Sequence, residues 1–201
     1  MQELLREITL TNVDRVLSEY VALIEDVGLT VAGLRGVPLL STLKRDSVGG
    51  GPYPNVTLFE TANRVMTDLV MLHGVRRLLK HEVFPFREYT VEYGHGNEGT
   101  HDIEASEDGK ALIGEVFNVA PSLYRLKKAS ALKKLRASKI NAEYRVVLIN
   151  HDAVAESYVP KVRPGEYYVF VNTGTGEGRV GASGACEGAG AGGGGRMSVQ
   201  S

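Results

Sequence analysis

Cysteine is almost absent. Cys186 is the only one in 201 residues, which excludes an intrachain disulfide framework and a cysteine-rich zinc site. It sits among glycines, so the thiol is read as incidental. An excess of either charge is also missing: 23 Lys and Arg face 24 Asp and Glu, a formal net charge of −1. Any contact with nucleic acid must therefore come from a local patch and not from the field of the whole chain. Nowhere are there ~18 consecutive apolar residues, the length a membrane-spanning helix needs. The opening MQELLREITLTNVDRVL is charged throughout and lacks a basic start followed by an apolar run. No signal peptide or membrane partner is expected, and a cytoplasmic location is. Large apolar residues run out again after about Thr173, so residues 173–201 cannot offset their ordering entropy and are expected to be a flexible glycine-rich tail. The GTGEG and GAGAGGGG within it are not phosphate-binding loops, since no helix follows and no Gly-Lys-Ser/Thr ending is present.

What is present is 43% hydrophobic and 23% charged residues, the composition of one globular domain with appendages. Residues 1–50 read as an N-terminal helical segment. Within it Val13, Val16, Leu17, Tyr20, Leu23 and Ile24 mark one face of a helix from Thr11 to about Val27, with Thr11 or Asn12 as cap. The glycines and prolines of KRDSVGGGPYPN then predict a loop or hinge. A core domain over 51–172 follows. Apolar residues from Leu58 to Leu79 predict a long helix capped by Asn55 or Thr57 and bent or interrupted at Gly74. Period-two patterning in REYTVEYG, THDIEAS and KALIGEVFNVA predicts three consecutive strands, the last two antiparallel through SEDG. Pro121 opens a helix carrying Leu123, Leu126, Leu132 and Leu135 on one side, and EYRVVLIN and EYYVFVN are buried-strand sequences.

A glutamate inside the apolar strand KALIGEVFNVA needs compensation, because an unpaired carboxylate is costly to bury. Asp102 and Glu115 fall on neighbouring antiparallel strands, where two like charges repel unless a cation lies between them. Mg²⁺ or Mn²⁺ suits such a pair, and a cation held by carboxylates can assist phosphodiester cleavage. Pairing with an arginine or lysine is the structural alternative. Glu104, two residues after Asp102, and Glu60, near the start of the long helix, are further acids that either join the pair or stay solvated.

The next helix carries Arg125, Lys127, Lys128, Lys133, Lys134 and Arg136, followed by Lys139, with no acid among them. The helix begins six residues after Glu115, and its basic run is a local positive patch suited to a phosphate backbone, or else a solvated face. Two His-Asp pairs, His101–Asp102 and His151–Asp152, lie in extended or post-strand contexts and not on the helices of an HD-type phosphohydrolase. His73 and His81 read as interfacial or surface residues, and His95 lies on a glycine-rich turn.

Over residues 55 to about 150 this order resembles the PD-(D/E)XK, or restriction endonuclease-like, nuclease superfamily. HDI at 101–103 stands in the place of the family's Pro-Asp motif and GEVFNVA at 114–120 in the place of Glu-x-Lys. The resemblance implies an α/β (α+β) core, a central mixed β-sheet flanked by helices. It implies Asp102 and Glu115 as metal ligands for Mg²⁺ or Mn²⁺, Glu60 as an auxiliary acid, DNA as substrate, endonuclease activity and a homodimer. Phe117 occupies the family's lysine position, and members that take the lysine from the next helix point to Lys127 or Lys128. The alternative is a catalytically inactive protein of the same fold that serves as a nucleic-acid or protein binding subunit.

Overall fold

A computed structural model of the chain describes residues 4–47, 50–94 and 101–182. Strand β1 (Glu7–Thr9) comes first and was not expected, because three residues carry no periodicity. Asn12 turns the chain back on it: Oδ1 accepts the Thr9 N–H at 2.9 Å and Nδ2 donates to the Glu7 carbonyl at 3.0 Å. Helix α1 (Val13–Ile24) follows and buries Val13, Val16 and Tyr20. A 3₁₀ turn over Glu25–Val31 and a helix α2 (Gly36–Arg45), none of whose residues is buried, precede the stretch 44–55 expected as a loop, whose described residues beyond Arg45 form no helix.

Helix α3 (Leu58–Lys80) is capped by Thr57, whose hydroxyl accepts the Glu60 N–H at 3.3 Å. It runs through Gly74 without a break. The glycine serves packing: a Cβ there would lie 3.0 Å from Leu148 Cγ and 3.6 Å from Val171 Cγ2, with a Leu148 methyl closer still. Strands β2 (Glu88–Val91), β3 (Ile103–Glu107) and β4 (Lys110–Phe117) follow as three consecutive strands. Asp108 and Gly109, both at positive φ (50° and 77°), make the two-residue turn between β3 and β4. A 3₁₀ turn at Pro121–Leu123 leads into α4 (Tyr124–Ala137), then β5 (Tyr144–Asn150), β6 (Glu166–Val171) and β7 (Gly178–Ala182).

The seven strands form one mixed sheet in chain order. β1 to β4 are antiparallel, β4–β5 and β5–β6 parallel, and β6–β7 antiparallel. Alternation along β4 and β5 gives the sheet two apolar faces. Leu112, Val116, Val146 and Leu148 share a core with α1 and α3, whereas Ile113, Phe117, Val147 and Ile149 share one with Tyr124, Ala131 and Leu135 of α4. The sheet is thus flanked by helices on both sides.

Three expectations need correcting. Residues 1–50 are not a separate helical segment, since β1 pairs with β2 and α1 enters the α3 core. The glycine-rich tail does not begin at 173: residues 178–182 form β7, held to β6 by backbone pairing that needs no large side chains, and with the Arg179 guanidinium 4.4 Å from the Phe170 ring. The rest of that tail, with Cys186, lies outside the described residues, as does His95. Finally, α4 buries only part of the leucine face. Leu135 is buried and Leu132 packs beside it, but Leu123 and Leu126 are 49% and 70% exposed, and Tyr124 and Ala131 take their place in the core.

A candidate active-site cleft at the end of β4

The ladder between β3 and β4 pairs Ile103 with Gly114. One step further along, Asp102 stands across from Glu115. Gly114 lets the strands meet tightly here, because a Cβ would come 2.6 Å from Ile103 Cδ1 and 3.1 Å from the Val146 carbonyl. Asp102 Oδ2 accepts the Val116 N–H at 2.6 Å, which fixes its side chain against β4.

Glu115 is buried, and its compensation is visible. Oε1 lies 2.8 Å from the Lys134 ammonium and 2.8 Å from His101 Nδ1. Among the described residues no hydrogen bond reaches Oε2. Behind it, His101 Nε2 lies 3.0 Å from Ser138 Oγ.

Asp102 and Glu115 line one cleft of about 820 Å³ together with Glu60, Arg64, Lys127 and Lys134. Helix α3 supplies Glu60 and Arg64, which pair with each other at 2.5 Å. The segment Asn118–Ala120 forms a further wall. Asn150, at the end of β5, pins that wall: its Oδ1 accepts the Val119 N–H at 2.8 Å, and its Nδ2 donates to the Val119 carbonyl at 3.0 Å and to Asp152 Oδ1 at 2.6 Å.

The cations of α4 divide by helical position. Lys127, Ser130 and Lys134, at spacings of three and four, all line the cleft. Lys128 turns the other way, 3.2 Å from the Tyr158 hydroxyl and over the Tyr124 ring. Burial pushes the Tyr158 hydroxyl up, yet the hydrogen bonds from Tyr124 and Lys128 outweigh it and leave Tyr158 below the ordinary tyrosine value. Arg136 reaches buried Glu166 at 2.7 Å, and Arg125 and Lys133 are exposed outside the cleft lining.

The structure therefore gathers Asp102, Glu115, Glu60, Lys127 and Lys134 from the residues singled out in sequence, and takes Lys128 and Arg136 elsewhere. Glu104 does not line the cleft; its Oε1 accepts the His101 N–H at 3.4 Å. Phe117 packs with Tyr124 in the α4 core. His151 lies on a 3₁₀ turn after β5, outside the cleft lining. Sequence reasoning missed Ser138 and Asn150, and it did not place His101 or Lys134 against Glu115. The Lys127–Ser130–Lys134 spacing was the signal available for the second.

Among the described residues no three His, Cys, Asp or Glu side chains are grouped to hold an ion. The two carboxylates suit Mg²⁺ in kind, since that ion takes one or two carboxylates and completes its shell with water and phosphate oxygens. No described helix is long and apolar enough to cross a membrane. No protein-family profile, no curated protein and no solved structure matches the chain.

Proposed function

We propose that this chain is a Mg²⁺-dependent DNA endonuclease with a restriction endonuclease-like core. The observation that carries the reading is the convergence of two facing carboxylates, Asp102 and Glu115, with Lys127 and Lys134 on one cleft. The order α3, β2, β3, β4, α4, β5, with β5 parallel to β4, supports the same reading.

Asp102 and Glu115 would hold the ion, which when bound acidifies a water and polarises a phosphodiester. The chain's own residues do the rest. Asp102, anchored on the Val116 N–H, keeps one carboxylate fixed at the sheet end. Lys134 and Lys127 offer ammonium groups to phosphoryl oxygens as charge accumulates there, the task that buried Phe117 cannot perform. Lys128 is left out of this assignment because it faces Tyr158 and does not line the cleft. Glu60, paired with Arg64 in the cleft lining, is the auxiliary acid.

The test is cleavage of a labelled DNA duplex with Mg²⁺ or Mn²⁺. Asp102→Ala and Glu115→Ala should each abolish metal-dependent cleavage and leave the fold intact; undiminished cleavage by both overturns the reading. A second reading is a non-catalytic binding subunit of the same fold. It is favoured by the way Lys134 and His101 already satisfy Glu115 without an ion. Calorimetric Mn²⁺ titration, alone and with a short duplex, separates the two, for only the first requires binding that the double variant loses. A homodimer would present two clefts to a duplex, and sedimentation velocity measures it.

A further inference from the structure

His101 is 6% exposed, and both of its ring nitrogens are engaged. A carboxylate can only accept, so Nδ1 carries the proton in the 2.8 Å contact with Glu115 Oε1. In the neutral ring, Nε2 is then the acceptor, and the Ser138 hydroxyl at 3.0 Å donates to it. Ser138 is itself tied down: it ends α4 in an extended conformation, and its Oγ accepts the Ile140 N–H at 3.2 Å. The donation runs in one direction, from Ser138 through the imidazole to Glu115. It spans from the C-terminal end of α4 to the residue beside Asp102.

Lys134, one helical turn before Ser138, reaches the same oxygen from the cleft side. Glu115 Oε1 thus holds a hydrogen bond with His101 and an ion pair with Lys134, while no hydrogen bond from the described residues reaches Oε2. A buried imidazole held at both ring nitrogens fixes the carboxylate's rotation through its hydrogen bond, whereas an ion pair with a flexible lysine does not. Without the imidazole, Glu115 could turn both oxygens to Lys134 and withdraw them from any other cation.

We propose that His101, held by Ser138, is a positioning residue that keeps Glu115 turned with Oε2 presented to the cleft for a divalent cation. The proposal rests on reading the cleft as a metal-dependent nuclease site. Partners that orient a metal ligand typically change affinity by about 10- to 100-fold when removed.

The test is Mn²⁺ calorimetry on the full chain, with and without a short DNA duplex, for wild type, Asp102→Ala, His101→Ala, His101→Asn and Ser138→Ala. Thermal unfolding without metal is recorded for each variant. His101→Ala should weaken Mn²⁺ binding about 10- to 100-fold. His101→Asn, whose amide N–H can replace Nδ1–H, should recover most of that loss. Ser138→Ala leaves ring and carboxylate in place, so it should fold like wild type and bind Mn²⁺ several-fold more weakly; it keeps the test sharp if His101→Ala unfolds. Wild-type affinity in Ser138→Ala and in folded His101→Ala, with binding lost in Asp102→Ala, overturns the positioning role and leaves the nuclease reading standing. Absence of Mn²⁺ binding by wild type, with and without duplex, overturns both.

Discussion

The Lys134 ammonium lies 2.8 Å from Glu115 Oε1, so a helix on one face of the sheet neutralises a carboxylate set into its fourth strand. Lys127 lines the same cleft two turns earlier, and Lys128, its neighbour in sequence, does not. Under the proposed nuclease reading, Lys134→Ala is expected to slow single-turnover duplex cleavage by about 10²-fold or more, the usual effect of removing one group that stabilises developing charge. Lys128→Ala should leave the rate near wild type. A reversed ranking in the same assay would reject this assignment of the two lysines.

Gly74 sets the distance between α3 and the sheet. Gly74→Ala would press a methyl into Leu148, which is fully buried and cannot swing away. The better helix propensity of alanine, about 1 kcal/mol, opposes an overpacking cost of about 1–3 kcal/mol. Net destabilisation is expected in urea unfolding, and Leu148→Ala in the Gly74→Ala background should cost less than in wild type.

Asn150 is 4% exposed and holds both backbone groups of Val119. Its replacement by alanine strands a donor and an acceptor beside the cleft, at about 1–3 kcal/mol for each group left unsatisfied. Asn150→Ala should therefore lower urea stability. It should also raise hydrogen exchange at the Val119 amide, which wild type protects.

Glu166 supplies the pH dependence. Burial pushes its carboxyl up, but the Arg136 guanidinium at 2.7 Å and the Arg163 N–H outweigh this and hold it below the usual carboxylate range. Because the folded value is depressed, the stability it contributes is present in full above the ordinary value of about 4.5 and is lost as pH falls through the lower folded value. Glu166→Gln should be less stable than wild type at pH 7. Urea midpoints of the two should converge as pH is lowered below about 4.5, and a constant gap would refute the assignment.

Legibility followed physical redundancy. α3 carried many core-facing residues and a Thr57 cap, and the Asp108–Gly109 turn had residue types suited to positive φ, so the central elements were readable. β1 and β7 are short edge strands made by backbone pairing and left no period to read, whereas α2 carries Val37, Leu39, Leu40 and Leu43 and went unread beside the glycines and prolines that follow it. The face of α4 was misjudged because Tyr124 and Ala131 fill the core where leucine was expected, leaving Leu126 outside. At the site, Asp102 and Glu115 were legible because a carboxylate in an apolar strand demands compensation. What supplied it was not. The His101–Ser138 and Lys134 contacts depend on the distance between β3 and the end of α4, which is a property of the folded chain alone.

Every residue lining the cleft falls between Glu60 and Lys134, and the supports Ser138 and Asn150 follow closely. The outer strands β1 and β7 contribute no lining side chain. Evolutionary drift at the two margins of the sheet can therefore proceed without altering the cleft at its centre, and the stretch from α3 to β5 is the natural unit for tracing ancestry.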